Sequence, residues 1–180
     1  MRLIILDRDG VINQDSEAYI KSPEEWHPIP RSLEAIAELN RADYRVVVAT
    51  NQSGIGRGLY DLDTLARIHA RMHQALAEVG GKVEAIFFCP HAPDEGCDCR
   101  KPRPGLLLDI ASRLQVSLHG VPVIGDALRD LQAAQAVGAS PILVRTGKGR
   151  DTEALAEAAG VPVYDDLAAA VSALLQQDGG

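Results

Sequence analysis

Apolar positions along this chain fall into two kinds of run that take turns. Short runs, apolar but for Arg45 at the head of one and Glu84 within another, lie at Leu3–Leu6, Arg45–Ala49, Val83–Phe88, Val121–Ile124, Pro141–Val144 and Val161–Tyr164. They lack polar alternation, as a strand buried on both faces of a parallel sheet requires. Between them, apolar residues recur at helical spacing. Leu33, Ile36, Ala37 and Leu39 mark a helix over Arg31–Ala42, with Ser32 as its candidate cap. Leu62, Leu65, Ile68, Met72, Leu76 and Val79 mark another over Asp61–Val79. Further helices are predicted over Gly105–Leu114, Leu128–Val137 (ended by Gly138), Thr152–Ala159 and Leu167–Leu175. Strands alternating with helices predict a three-layer α/β fold around a mostly parallel central sheet. Two stretches fit neither pattern. Val11–Pro30, with three prolines and the lone Trp26, reads as a long loop over a site. Cys89–Pro104 is an excursion rich in Pro, Cys and Asp. With no repeat or linker, residues 1–180 are expected to form a single domain.

Composition narrows the classes of function. The 180 residues carry a net charge of -7, against the clustered Lys and Arg that a polyanion-binding surface needs. Aromatic residues make up only 4%, too few for a base-stacking platform. No apolar run approaches the roughly 20 residues of a membrane helix. Charged residues follow Leu6 at once, so no secretory leader is legible and a cytoplasmic protein is expected. Nucleic acid and membrane are therefore not expected as partners.

Candidate chemistry sits where the predicted strands end. Asp7 and Asp9, one residue apart, follow the first strand, and Gly10 permits the turn. Thr50 follows the second strand, Gly125-Asp126 closes the fourth, and Lys101 precedes a helix. In open α/β sheets ligands bind beyond the carboxyl ends of the strands. Each of these features alone is ordinary turn chemistry; their joint order carries the signal. Carboxylates crowded at one sheet edge need a cation, and oxygen ligands suit Mg²⁺. Asp7 is then placed to attack phosphorus as a nucleophile. Asp9 would serve as general acid and then base. Thr50 and Lys101 would stabilise the transferring phosphoryl group, and Asp126 would complete the Mg²⁺ site.

The cysteine loop carries separate chemistry. All three cysteines of the chain fall within Cys89–Cys99, too close together for a disulfide framework. Cys89, His91, Cys97 and Cys99 spell C-x-H-x₅-C-x-C, a full tetrahedral shell for a structural Zn²⁺ with no open position. A short loop without an apolar core needs such a staple. It would also fix Arg100 and Lys101, which follow the last ligand.

The motifs D-R-D-G at Asp7–Gly10, T-N-Q-S-G at Thr50–Gly54, C-R-K-P at Cys99–Pro102 and G-D-x-x-x-D at Gly125–Asp130 resemble the haloacid dehalogenase (HAD) superfamily of phosphatases. The likeness spans essentially the whole chain. It implies a Rossmann-like fold, Asp7 as nucleophile, Asp9 as acid/base, and Mg²⁺ held by Asp7, the Asp9 backbone carbonyl and Asp126. Asp130 is implied as a supporting acid. No stretch is long enough for the cap domain of larger members, so the two loops would supply specificity. Two capless subfamilies with a zinc loop fit: the D-glycero-D-manno-heptose 1,7-bisphosphate 7-phosphatases and the histidinol-phosphate phosphatases. T-N-Q-S-G-I-G-R-G, Y-I-K-S-P-E-E-W and V-R-T-G resemble the heptose group, which acts in nucleotide-heptose and lipopolysaccharide synthesis. By that likeness Asp15 to Tyr19, Asn51, Gln52, Ser53 and Arg100 would touch the sugar or its second phosphate. The short gap between His91 and Cys97 resembles both groups. Ala127 stands where some heptose enzymes carry a lysine, which leaves a substitute role for Arg129, and the anomer, open. The expected partner is a small phosphorylated sugar, and the expected assembly a monomer or at most a weak homodimer. A non-catalytic phosphosugar-binding or zinc-stapled interaction module is the alternative class; the intact Asp7 and Asp9 argue against it.

Of three further features, two are read as structural and one as serving the site. His69 and His73 stand at i and i+4 without a third ligand, which suits packing or the surface. Gly147-Lys148-Gly149-Arg150 lacks nucleotide-loop spacing and reads as a turn. Gly54, Gly56 and Gly58 would let backbone approach a phosphoryl group.

Overall fold

A computed structural model describes residues 2–180; Met1, the first residue of the opening stretch, lies outside them. The strands are β1 (Arg2–Leu6), β2 (Tyr44–Asn51), β3 (Ala85–Cys89), β4 (Pro122–Gly125), β5 (Ser140–Val144) and β6 (Val163–Tyr164). The helices are α1 (Ser32–Arg41), α2 (Leu62–Glu78), α3 (Gly105–Leu114), α4 (Leu128–Ala136), α5 (Gly149–Ala158) and α6 (Leu167–Asp178). The strands form one sheet in the order β3-β2-β1-β4-β5-β6, and every pairing between them is parallel. This is the doubly wound order, in which the chain leaves β1 in one direction and later returns through β4 on its other side. Leu6 pairs with Val48 on one side and Ile124 on the other, so the ends of β1, β2 and β4 lie abreast.

Successive residues of β1 face opposite layers. Ile4 and Leu6 join Val46 and Val48 under α1, α2 and α6, with Ile36, Ile68, Met72 and Val171 against them. Leu3 and Ile5 join Val47 and Ala49 under α3 and α4, against Leu107, Ile110 and Ala133. The residues between β1 and α1 are more than a cover. Val11, Ile12, Ile20, Trp26 and Ile29 are buried, and Asn13 makes isolated bridges to Asp9 and Pro28. The long loop is anchored into the core at both ends, and its middle reaches the site.

Some boundaries differ from the pattern. Ser32 lies inside α1 and donates through Oγ to the carbonyl of Val11 at 2.9 Å, so it ties the loop down and does not cap the helix. Asp61 does cap α2, accepting from the Thr64 N–H at 2.8 Å. β3 begins at Ala85, two residues later than the apolar run: Val83 is buried, but only from Ala85 does the chain pair in register with β2. α5 begins at Gly149, so half of the expected turn at 147–150 is helical. No helix among the described residues is long and apolar enough to cross a membrane.

Ile36 is fully buried between α1 and the sheet, away from the strand ends. Ile36→Ala is expected to cost about 2–5 kcal/mol of stability through lost burial and the cavity left behind. Urea denaturation would show this as a lowered midpoint at constant slope.

Candidate active site

Residue Asp7 is the first beyond β1, and its N–H still bonds to the carbonyl of Ile124 at 3.0 Å. Asp126 is the first beyond β4. The two therefore face each other across the point where the strand order reverses, where a crevice opens in this class of sheet. Lys101 arrives from the excursion after β3. Asn51 holds its backbone on both sides, accepting from its N–H at 3.0 Å and donating to its carbonyl at 3.1 Å. The buried ammonium then reaches Asp130 Oδ1 at 2.6 Å, the Ala49 carbonyl at 2.8 Å and Asp7 Oδ1 at 3.2 Å. Carboxylate oxygens of Asp7, Asp126 and Asp130 all lie within 4.8 Å of one another, so the acids and the lysine expected from sequence gather in one place.

The charge balance there is unfavourable. Burial first, then Asp130, pushes the Asp7 carboxyl up to about 6, with Lys101 pulling the other way. Burial and then repulsion from Asp7 and Asp130 push Asp126 up to about 8. Burial would lower the Lys101 ammonium, but Asp130 and Asp7 outweigh it and hold it charged. Asp130 is fully engaged: Oδ1 takes Lys101, and Oδ2 accepts from the N–H groups of Asp126 and Ala127 at 3.2 and 3.1 Å. Asp126 is not, since its Oδ1 is buried without a hydrogen-bond partner while Oδ2 accepts from the Lys148 N–H at 2.9 Å. An orphaned buried oxygen beside a crowded carboxylate fits a hard divalent cation. Asp7 and Asp126 are the side chains free to hold it.

Asp9 lives in a different environment. Burial would raise its carboxyl, but the Arg8 guanidinium, with hydrogen bonds from Asn13 and Gln52, outweighs burial and lowers it. Arg8 itself is 0% exposed, an unusual place for a charge, and was not singled out from sequence. Gln52, expected at the substrate, points its amide N–H groups inward to Asp9 Oδ2 at 3.2 Å and Thr50 Oγ1 at 3.0 Å. His69, read as a packing residue, is buried against Arg8.

Above this floor lies a cavity of about 250 Å³. Asp15, Tyr19, Asn51, Gln52, Ser53 and Arg100, the expected substrate contacts, all line it, together with Asp7, Asp9, Thr50, Arg57, Arg129 and Lys148. Arg57 stacks over the Tyr19 ring at 5.8 Å, joining the two loops that form opposite walls. Lys148 was read as part of a plain turn, yet it binds Asp126 through its N–H and sits 3.7 Å from Asp15 through its ammonium. Its place a few residues beyond β5, in the turn at the same sheet edge, is the signal available. Arg100 Nη1 and Arg129 Nε are buried without partners.

In the cysteine loop, donor atoms of Cys89, His91, Cys97 and Cys99 also lie within 4.8 Å of one another. Cys89 Sγ is 3.4 Å from His91 Nδ1 and 3.0 Å from Cys99 Sγ, and all three cysteines are free. Three thiols and an imidazole turned to a common centre can hold a soft or borderline metal ion.

A parallel sheet in this order, with an Asp-x-Asp beyond its first strand and a Lys and two acids converging on it, defines a haloacid dehalogenase-type hydrolase. A family model described as HAD-hydrolase-like matches residues 98–170. The D-glycero-beta-D-manno-heptose-1,7-bisphosphate 7-phosphatase of Bordetella bronchiseptica is 60% identical over 98% of this chain and 99% of its own. That of Pseudomonas putida is 57% identical over 97% of this chain and 100% of its own. The crystal structure of the B. bronchiseptica D,D-heptose 1,7-bisphosphate phosphatase, complexed with magnesium and phosphate, superposes with a TM-score of 0.95, covering 98% of this chain and 99% of that one. The Burkholderia thailandensis D,D-heptose 1,7-bisphosphate phosphatase, 48% identical, gives 0.75 over 97% and 99%. The chain belongs to the D-glycero-beta-D-manno-heptose-1,7-bisphosphate 7-phosphatase family.

Gly147 has a φ of +57°, and a Cβ there would run into Asp126 Oδ2 and lie 2.7 Å from the Cα of Gly10. Gly147→Ala is expected to cost about 1–3 kcal/mol, from backbone strain and from displacing Asp126. A lowered thermal midpoint would show the cost, and a crystal structure of the variant would show Asp126 moved.

Proposed function

We propose that this chain is a Mg²⁺-dependent phosphatase that removes the C7 phosphate of D-glycero-β-D-manno-heptose 1,7-bisphosphate through an aspartyl-phosphate on Asp7. The observation that carries the reading is the buried Asp7–Lys101–Asp126 cluster, which meets a cavity lined by several cations through Asp7. Near-full-length identity to relatives named for this reaction, all for the β anomer, supports the choice of substrate.

Asp7 is held for attack by the Arg8 N–H at 2.9 Å and by Lys101, both on Oδ1. As the Asp7 oxygen bonds to phosphorus, the ester P–O bond breaks and Asp9 gives its proton to the departing sugar oxygen. Water then attacks the phosphorus of the aspartyl-phosphate, Asp9 takes its proton, and the bond to Asp7 breaks to release phosphate. Lys101 and Thr50 stabilise the charge on the phosphoryl oxygens. Asp7, Asp126 and the Asp9 backbone carbonyl would hold Mg²⁺, which supplies positive charge against the acid cluster and the phosphoryl group. The unpartnered guanidinium N–H of Arg100 suits the second phosphate, with Arg129 supplying a cation where Ala127 supplies none. Cys89, His91, Cys97 and Cys99 would hold a structural Zn²⁺ that fixes the course of the chain into Arg100 and Lys101.

Phosphate release with Mg²⁺ present should be faster from the heptose 1,7-bisphosphate than from histidinol phosphate, and should vanish in Asp7→Asn. Better turnover of histidinol phosphate would move the chain to the neighbouring subfamily's reaction. Release surviving in Asp7→Asn would exclude the mechanism, and absence of release from any phosphomonoester would favour a binding module.

Removing zinc with a chelator, verified by metal analysis, should lower kcat and loosen residues 89–104. Hydrogen exchange over that segment would report the loosening. Full activity after verified removal would assign the cluster no part in shaping the site.

A further inference from the structure

Behind Asp9 lies a closed polar shell that the proposed chemistry does not use. Arg8 Nε and Nη2 both donate to Asp9 Oδ1, at 2.9 and 2.8 Å, and Asn13 Nδ2 donates to the same oxygen at 2.9 Å. Oδ2 receives one donor, the amide of Gln52 at 3.2 Å. One oxygen of the carboxyl is therefore saturated and the other is left for the cavity, which Asp9 lines. Two further residues fix this asymmetry from behind. Arg8 Nη1 lies 3.1 Å from His69 Nε2. A guanidinium only donates, so Nε2 must accept and the ring proton must sit on Nδ1. Burial, and then Arg8, push the His69 imidazole down to about 3, so the ring stays neutral and remains an acceptor. On the other side the Tyr60 hydroxyl donates to Gln52 Oε1 at 2.5 Å. That bond, with a longer one from Arg8 Nη2 to the same oxygen at 3.5 Å, sets which way the Gln52 amide faces and directs its N–H groups to Asp9 and Thr50.

We infer that His69 and Tyr60 are positioning residues that act through Arg8 and Gln52 to hold Asp9 with Oδ2 toward the leaving group, so that proton delivery to the departing oxygen depends on them. The inference rests on the phosphatase reading above. Neither residue touches the reacting atoms. His69 lies in α2, sixty-one residues from Arg8, and its ring supplies the acceptor that orients a wholly buried cation. Without it the guanidinium would have an unpaired buried N–H and a reason to turn away from Asp9.

The test separates proton delivery from general damage by the need of the leaving group for a proton. A sugar alkoxide must be protonated as it departs, whereas p-nitrophenolate leaves unaided. Single-turnover release of the leaving group would be followed with enzyme in excess and Mg²⁺ present, from the heptose bisphosphate and from p-nitrophenyl phosphate. His69→Leu and Tyr60→Phe should slow sugar release by at least about tenfold while slowing p-nitrophenol release by less than about threefold. His69→Gln, whose amide oxygen can accept from Arg8, should recover most of the sugar rate. Tyr60→Phe keeps the ring packing, so it reads the hydroxyl alone should His69→Leu fold poorly. Equal slowing of both esters, an unchanged sugar rate, or a His69→Gln as slow as His69→Leu would overturn the inference. Wild-type enzyme inert toward both esters would instead overturn the phosphatase reading, and the inference with it.

Discussion

Three buried carboxylates, Asp7, Asp126 and Asp130, share a few ångströms with one ammonium, Lys101, and this imbalance of charge governs the architecture around it. An isolated buried charge is costly, and a paired one is tolerable only when geometry and hydrogen bonds are good. The structure neutralises one acid completely by giving Asp130 to Lys101 and to two backbone N–H groups. It leaves the other two raised in pKa, and Asp126 with one buried oxygen unbonded. A cavity floor so arranged is stabilised by whatever brings positive charge, so ligand binding and local stability are coupled by the same electrostatics. The parallel sheet makes the crowding possible, because Leu6 and Ile124 pair directly and each strand delivers its next residue to the same edge.

Holding such a cluster requires rigid surroundings, and the chain builds them from loops that are themselves anchored. Asn51 grips the backbone of Lys101 from both sides, so the lysine is placed by β2 although it belongs to the excursion after β3. Thr146 donates through Oγ1 to the Gly10 carbonyl at 2.6 Å, and Gly10 and Gly147 approach Asp126 more closely than any side chain would permit. The loop before α1 is fixed by Trp26, Ile12 and Ile29 in the core and by Ser32 bonding back to Val11. Asp15, Tyr19 and Ile20 near its tip form part of the cavity wall.

The legible part of this arrangement was the part that local pattern determines. Apolar runs marked every strand, because a strand covered on both faces tolerates little else. The residues just beyond those runs then identified Asp7, Thr50 and Asp126, and the crowding of Cys89, His91, Cys97 and Cys99 identified a donor cluster. What pattern did not show was any role set by distant partners. Nothing local distinguishes Arg8 from other arginines; only the fold reveals His69, Gln52 and Asp9 closing around it. Gln52 and Asn51 read as polar groups awaiting a ligand; both line the cavity, and what pattern did not show is that their amides also hold Asp9, Thr50 and Lys101 in place. Ser32 looked like a helix cap because caps are local, but the carbonyl of Val11, brought near by the loop, claims its hydroxyl.

The same limit explains why Asp7 and Asp9, identical residues one position apart, can take different roles. They leave one strand in opposite surroundings: Asp7 turns toward Asp126, Asp130 and Lys101, and Asp9 toward Arg8, Asn13 and Gln52. Burial and like charge raise the first, while a guanidinium and two amides lower the second. Those directions run against the roles: a nucleophile must be ionised, so Asp7 needs a cation beside it, and Asp9 acts as acid only once a proton sits on Oδ2, the oxygen left for the substrate. In the proposed reaction Asp7 must meet an anionic phosphoryl group, which an electropositive partner in its crowded neighbourhood would permit. Asp9 must give up a proton and take one back, which needs a carboxyl held still with one oxygen facing the substrate. The residue between them belongs to this division: Arg8 bonds the Asp7 carboxylate through its backbone N–H and the Asp9 carboxylate through its side chain. One arginine thereby links the placement of both acids.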